Sequence, residues 1–184
     1  MTDQQIIIIV IVFIVCSFIL LLVTYFMQLR ETRIEDKIKQ ESIKCGFFDK
    51  TTKEIKKQTG CDFLLKKYDV DCYVKVLNVP TKSQVVLNYK DTVCLHYGGT
   101  KQKGTLYPNK KYLKLDKFLS SDIKGIKMLL IYPSTNQVMM YVNECEMIHV
   151  KACDFPYNMK LVKFEDLNEA LDSIYSKEVK SSNN

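Results

Sequence analysis

The chain has 184 residues, and its 27 lysine and arginine residues against 21 acidic residues give a formal net charge of +6. This length fits one domain, and almost all of the positive charge is lysine, because Arg30 and Arg33 are the only arginines. Arginine makes the bidentate contacts to phosphate and guanine, so the composition argues against specific nucleic-acid recognition.

A long apolar segment lies near the N-terminus. After a short tail, residues 1–5, the segment from Ile6 to Met27 holds no charged residue, no proline and no glycine. As a helix it would be roughly 33 Å long, which is enough to cross the hydrocarbon core of a bilayer. The tail lacks the basic start of a signal peptide, and no small-residue cleavage site follows the segment. The pattern therefore predicts an uncleaved transmembrane anchor with Tyr25 and Phe26 at its interfacial end.

The charges that follow the anchor predict its orientation. No lysine or arginine precedes the apolar segment, whereas basic residues follow it directly at Arg30, Arg33, Lys37 and Lys39. The positive-inside rule then places the rest of the chain on the cytoplasmic side of the membrane.

A group of lysines lies farther along the chain, at Lys53, Lys56, Lys57, Lys66 and Lys67. A solvated lysine-rich surface is the favoured interpretation of these lysines, and a patch facing a polyanion or a membrane is the alternative.

Cysteine usage contradicts that orientation. The even number of cysteines after the anchor predicts three disulfides in an exported domain, formed among Cys45, Cys61, Cys72, Cys94, Cys145 and Cys153. Cys16 lies within the apolar segment and is expected to stay a free thiol. Because disulfides are rare in the cytosol, the two signals conflict. Reduced thiols in the core are the alternative.

The segment after the anchor divides into a stalk and a globular part. Residues 28–44 are predicted to continue the anchor as a helical stalk with a thin apolar stripe at Leu29, Ile34 and Ile38. Cys45 and Gly46 form a plausible helix end. The globular domain is then assigned to residues 45–176, and the polar end, 177–184, is predicted to be disordered.

The globular part shows mostly strand patterns. Short runs rich in β-branched and aromatic residues predict strands at Tyr73–Leu77, Gln84–Tyr89 and Thr92–Tyr97. A loop marked by Gly104, Pro108 and Asn109 then leads into Tyr112–Leu115. The strongest local pattern is a pair of apolar runs on either side of a turn-rich linker, which predicts a hairpin. Its two strands would be Lys127–Ile131 and Gln137–Val142, with Met147–Val150 as a third strand.

One amphipathic helix is predicted near the C-terminus. Glu165 and Asp166 suit its first turn, where acidic side chains interact favourably with the helix dipole. Apolar residues then recur at helical spacing, at Leu167, Ala170, Leu171, Ile174 and Tyr175. The fold class predicted from these elements is α+β, with an N-terminal transmembrane helix followed by a mainly antiparallel sheet with flanking helices.

Cysteines and histidines could in principle form a zinc site or a nucleophilic pair. Cys145, His149 and Cys153 are evenly spaced, and Cys94 and His96 lie upstream. On a strand, however, residues four apart are about 13 Å apart, too far to share one ion. No signature of a nucleophile surrounds either histidine. We therefore predict no catalytic residue, no metal and no cofactor.

Four features of the sequence together resemble envelope proteins of large DNA viruses. They are the anchor at Ile6–Met27, the basic residues Arg30 and Arg33 after it, the later cysteines, and the lysine-rich, tryptophan-free composition. Two groups are similar: the per os infectivity factors of baculoviruses and nudiviruses, and the poxvirus entry-fusion complex. The poxvirus resemblance implies disulfides made on the cytoplasmic side, which would resolve the conflict in orientation.

The resemblance also implies where the protein acts and what it contacts. The expected location is the virion envelope and host internal membranes, and the expected role is virus entry through protein contacts without enzymatic activity. The partners would be the lipid bilayer, other envelope or entry-complex subunits, or a host receptor. The alternative function is a cellular membrane-tethered adaptor, or a membrane-bound enzyme, of an organism with an AT-rich genome.

Overall fold

The computed structural model describes residues 3–80, 83–88, 92–98, 105–111, 115–133, 135, 137–143 and 146–182. Of the residues singled out in the sequence, most of Tyr112–Leu115, Cys145 and the side chain of His96 lie outside the described parts. The chain forms two compact units, Met1–Gln40 and Glu41–Asn184.

The first element is a single long helix, α1, from Asp3 to Lys44. No proline or glycine interrupts this sequence, so the hydrogen-bond ladder can continue through the predicted anchor and stalk. The helix ends in a Schellman motif. The amide of Phe47 donates to the carbonyl of Ser42 at 3.0 Å, and the amide of Gly46 donates to that of Ile43 at 2.9 Å. Gly46 has a φ of +76°, which confirms the predicted helix end.

The globular unit continues with ten strands and three further helices among the described residues. In chain order these are β1 (Phe48–Asp49), α2 (Lys53–Thr59), β2 (Phe63–Lys67), β3 (Val70–Asn78), β4 (Gln84–Asn88), β5 (Thr92–Gly98), β6 (Thr105–Lys111), α3 (Asp116–Ser120), β7 (Ile126–Tyr132), β8 (Gln137–Tyr141), β9 (Met147–His149), β10 (Met159–Lys163) and α4 (Leu167–Ser182). Helix α4 extends into the segment for which the sequence predicts disorder. Glu165 and Asp166 lie in a separate 3₁₀ turn that precedes it.

The strands form two five-stranded sheets, both mixed. The order of the first sheet is β1-β2-β3-β7-β10, and that of the second sheet is β6-β5-β4-β8-β9. β7 runs parallel to both β3 and β10, and β8 runs parallel to β4. The α+β class and the long N-terminal helix are confirmed. The mainly antiparallel sheet is a wrong prediction, because each sheet mixes both orientations: β3-β7 and β7-β10 are parallel in the first sheet, and β4-β8 is parallel in the second.

The predicted hairpin between β7 and β8 is the source of this error. β7 belongs to the first sheet and β8 to the second, so the turn-rich linker passes from one sheet to the other. The linker between β3 and β4 does the same beside it, and the amide of Val79 donates to the carbonyl of Tyr132 at 2.9 Å. Between the linkers, buried Thr135 donates to the carbonyl of Ser83 at 2.6 Å. These hydrogen bonds therefore join the two linkers, which both lead from the first sheet to the second.

One core fills the space between the sheets. Alternating side chains from both sheets meet there with Phe118 of α3, and the cluster includes Leu77, Val85, Leu87, Val93, Leu95, Leu129 and Ile131. The opposite face of the first sheet carries Val74, Met128 and Lys160 in one row. Helix α4 contacts β10, and its predicted apolar residues Leu167, Ala170, Leu171 and Ile174 are buried.

Candidate functional site

The apolar segment of α1 is the clearest functional feature of the chain. The helix is long and apolar enough to cross a membrane, and its large side chains from Ile6 to Met27 are exposed. The hydroxyl of Ser17 donates to the carbonyl of Phe13 at 2.9 Å, and that of Thr24 donates to Leu21 at 2.9 Å. Polar groups in hydrocarbon need such internal partners, so these two hydroxyls are compatible with a membrane position.

A lysine-centred junction joins the end of α1 to the first sheet and α4. The ammonium group of Lys67 donates to the carbonyl of Cys45 at 2.7 Å and lies 4.1 Å from the ring centre of Tyr175. A cation suits the C-terminal end of a helix, where carbonyls have no helical partner. The thiol of Cys45 donates to the side-chain oxygen of Asn168 at 3.3 Å. Burial raises the pKa of this thiol.

The lysines considered as a basic patch lie on two elements, helix α2 and strand β2. Lys66 forms an ion pair with Asp71 at 3.0 Å, and Lys67 belongs to the junction. Lys53, Lys56 and Lys57 instead lie together on the exposed helix α2. Two of the five lysines thus have partners within the fold, and the other three lie on one short helix that has no buried residue.

The structure places the predicted disulfide cysteines on different surfaces. Cys61 belongs to the core between the sheets. Cys72 lies on the face of the first sheet that points away from this core. Val74 lies on the same face, because side chains alternate along a strand. Cys94 lies between Val93 and Leu95, which both face the core, so its thiol points to the outer face of the second sheet. Cys16 of the anchor and Cys45, Cys61, Cys72 and Cys153 of the globular unit are not joined in disulfides.

This arrangement restricts which cysteines can pair with one another. The disulfides themselves remain a prediction. Cys61, Cys72 and Cys94 point away from one another, and a disulfide needs Cα atoms within about 7 Å. If three disulfides form in this fold, each of these cysteines must pair with Cys45, Cys145 or Cys153. Among the described cysteines of the globular unit, only Cys153 is exposed.

We expect alkylation to separate the cysteines by burial. In native protein treated with reductant, iodoacetamide should label Cys153 well before Cys61, Cys72 and Cys94, because a buried thiol cannot reach the reagent. Peptide mass spectrometry before and after denaturation provides the measurement. Omitting the reductant tests the disulfides: Cys153 should then stay unlabelled, and its labelling would contradict the prediction for this cysteine.

The residues considered for zinc do not converge in the described parts of the chain. His149 of β9 is aligned with Met139 of β8, which is aligned with Val86 of β4 and through it with Cys94 of β5. Three strand spacings separate His149 from Cys94, or about 14 Å. Among the described residues no group of three potential ligands could hold a metal.

A buried lysine is the feature that the sequence analysis missed. Lys160 lies in β10 with no exposed surface. Its ammonium group donates to the carbonyl of Ala152 at 2.5 Å and to the hydroxyl of Ser173 at 2.6 Å, and it lies 4.3 Å from the ring centre of Phe155. Lys160 therefore connects the loop before β10 to α4. The sequence did not predict β10, so no local signal marked this lysine as buried.

A shallow groove lies next to the loop before β10. Its volume of about 350 Å³ is at the lower end of the range for ligand pockets. Val138, Val150 and Leu161 give it an apolar floor. Its rim mixes charges of both signs, from Lys151, Lys163, Asp166 and Glu169. Such a rim gives no single-sign attraction to a charged ligand.

The buried thiol of Cys72 predicts a stability change at alkaline pH. Burial raises the pKa of this thiol from 9.0 to about 12, although the positive charge of nearby Lys160 acts to lower the pKa. Because the thiol stays protonated in the folded state but ionises in the unfolded state above pH 9, the folded protein loses stability as the pH rises from 9 towards 12. Between pH 8 and pH 10 the loss should be about 1.4 kcal/mol.

The measurement is urea unfolding at both pH values for the wild type and Cys72→Val. The variant should lose about 1.4 kcal/mol less between the two pH values, whereas Cys153→Ser should behave as the wild type. Equal losses in Cys72→Val and the wild type would contradict this assignment.

Comparison of the chain with protein-family models, with curated protein sequences and with solved structures finds no match.

Proposed function

We propose that the protein is a single-pass, membrane-anchored subunit of a viral envelope that supports virus entry by binding other proteins. The observation that carries this proposal is the exposed apolar segment Ile6–Met27, within a helix that leads into a separately packed two-sheet unit. The resemblance to anchored envelope proteins supplies the viral context. In this proposal α1 stays in the mature protein as the anchor.

Membrane extraction tests the anchor. The wild type should resist alkaline carbonate, and its intact mass should include residues 6–27. Phe13→Arg combined with Leu20→Arg should be extracted, because each arginine near the centre of a membrane helix costs roughly 3 kcal/mol. Gln40→Arg, beyond the apolar segment, is the control and should resist carbonate. A wild type that is extracted, or a mature chain that starts near residue 28, would refute the anchor.

Virion fractionation and histidine substitutions test the viral role and the mode of action. The protein should be enriched in purified virions, whereas a cellular adaptor or membrane enzyme should not be. His96→Ala and His149→Ala viruses with normal protein levels should remain infectious, because the proposed role rests on protein contacts. If either substitution abolished infectivity with fold and partners intact, a catalytic or metal-dependent role would replace this proposal.

A further inference from the structure

Strand β9 forms one edge of the second sheet among the described residues. Its pairing with β8 fixes the direction of its backbone groups, because the amide of Val150 donates to the carbonyl of Val138 at 2.9 Å. In an antiparallel pair, positions that bond to the neighbouring strand alternate with positions that point the other way. The amide and carbonyl groups of Met147 and His149 therefore point away from β8, along the outer edge of the sheet.

The residues of β9 distinguish it from the other edge strands of the two sheets. β1 has only two residues, one of them Asp49. β6 contains Pro108 and two lysines, and β10 contains Lys160 and Lys163. Proline, charge and shortness are features that keep an edge from pairing with another chain. β9 is short, with three residues, but it has the sequence Met-Ile-His and alone among these four edge strands lacks proline, lysine and acidic residues.

Ile148 gives this edge an exposed apolar side chain. It is aligned with Met140, which packs against the core between the sheets. Because aligned residues of neighbouring strands share a face, Ile148 continues the core face to the margin of the second sheet. There it remains 41% exposed. A further strand paired with β9 would cover this apolar surface.

A second copy of the chain fits this edge in one register. Two identical strands related by a two-fold axis perpendicular to their sheet pair in the antiparallel direction. With the axis at Ile148, Met147 of each copy is opposite His149 of the other. The outward amide and carbonyl groups of both residues then all have partners. The two Ile148 side chains are opposite each other in a pair without hydrogen bonds, where side chains are closest.

Charges at the two ends of β9 favour the same arrangement. Glu146 directly precedes the strand, Lys151 follows it after one intervening residue, and both side chains are exposed. Antiparallel pairing brings the acidic end of each copy to the basic end of the other, whereas parallel pairing would bring like charges together. The free edge also ends at Lys151, because the amide of this residue donates to the carboxylate of Asp154 at 2.8 Å.

We propose that β9 is a homodimer interface, in which the β9 strands of two copies pair antiparallel about a two-fold axis at Ile148 and join the two second sheets into one continuous sheet. The dimer goes beyond the proposed function and depends neither on the anchor nor on the viral role. Because the shared ladder is short, the dimer should dissociate on dilution, as complexes with interfaces below about 1,200 Å² do.

Cysteine cross-linking tests the register. Cysteines at position 148 of the two copies would have Cα atoms about 4.5 Å apart, within the range of a disulfide. Cysteines at position 149 would be offset along the strands and roughly 9 Å apart, which is too far. Under mild oxidation of the full chain in detergent micelles, Ile148→Cys should give on the order of tenfold more covalent dimer than His149→Cys. Peptide mass spectrometry should identify a link from 148 to 148, which distinguishes it from links through native cysteines.

A charge at the axis tests the dimer itself. Ile148→Lys places two ammonium groups opposite each other, so sedimentation equilibrium should give a monomer at concentrations where the wild type is mainly dimer. Val142→Lys is the matched control and should stay dimeric, because Val142 is 55% exposed and follows β8 rather than lying in β9. Both variants should keep the circular dichroism of the wild type, since both positions are exposed.

Three results would overturn the proposal. The first is a wild type that is monomeric at every concentration. The second is cross-linking at position 149 as strong as at position 148, which would contradict the register. The third is a dimer that Ile148→Lys does not dissociate, which would indicate association through α1 or another surface.

Discussion

Replacing Leu171 with aspartate should abolish the folded globular unit. Leu171 has no exposed surface and lies on α4, the helix that contacts β10. An unpaired carboxylate at this position must be desolvated or must expose the apolar surface that α4 covers. The cost of burying an unpaired charge is comparable to the total stability of a domain, about 5–15 kcal/mol.

Far-UV circular dichroism during thermal unfolding measures this effect. The wild type should show one cooperative transition, and Leu171→Asp should show none or one that is lowered by tens of degrees. Asp172→Asn is the matched control, because Asp172 is the adjacent exposed residue of the same helix. A Leu171→Asp variant that unfolds within a few degrees of the wild type would mean that α4 does not pack on the sheet.

Truncating Lys160 should produce the second largest loss of stability. Lys160→Met keeps most of the aliphatic volume but leaves the carbonyl of Ala152 without the ammonium group that now donates to it. An unsatisfied buried acceptor costs about 1–3 kcal/mol. Lys160→Ala additionally creates a cavity, so its total loss should be about 3–5 kcal/mol.

Urea unfolding at neutral pH gives these free energies, with Lys151→Met as the exposed control expected within about 0.5 kcal/mol of the wild type. The order of stability should be wild type, then Lys160→Met, then Lys160→Ala. If Lys160→Met proved more stable than the wild type, desolvation of the ammonium group would outweigh its hydrogen bonds, and Lys160 would have a purpose other than stability.

Periodicity in the sequence determined the elements whose burial follows a local rule. The long helix α1 follows from an apolar segment and a charged stalk without proline or glycine, and its end follows from Gly46. Helix α4 follows from the spacing of Leu167, Leu171 and Ile174. Most of β3, β4, β5 and β9 also agrees with the predicted strands. In each case neighbouring residues alone decide which face must leave water.

Other elements lacked such a local signal. Helix α2 has no buried residue, so no apolar stripe marks it. In β10 the lysine at position 160 breaks the apolar run, although its side chain is buried. The left-handed backbone of Tyr68 and Tyr157 is equally invisible in the sequence, because tyrosine does not usually mark such positions.

Strand partners were decided only by the tertiary structure. An apolar run followed by turn residues and a second apolar run is compatible both with a hairpin and with a passage between two packed sheets. The second solution is present at β7 and β8 because β3 and β4 supply parallel partners in each sheet. These partners are distant in sequence, and their side chains join one core only when both linkers lead from the first sheet to the second. Alternation along a strand determines which side chains are buried, whereas the choice of neighbour depends on long-range packing that no local pattern contains.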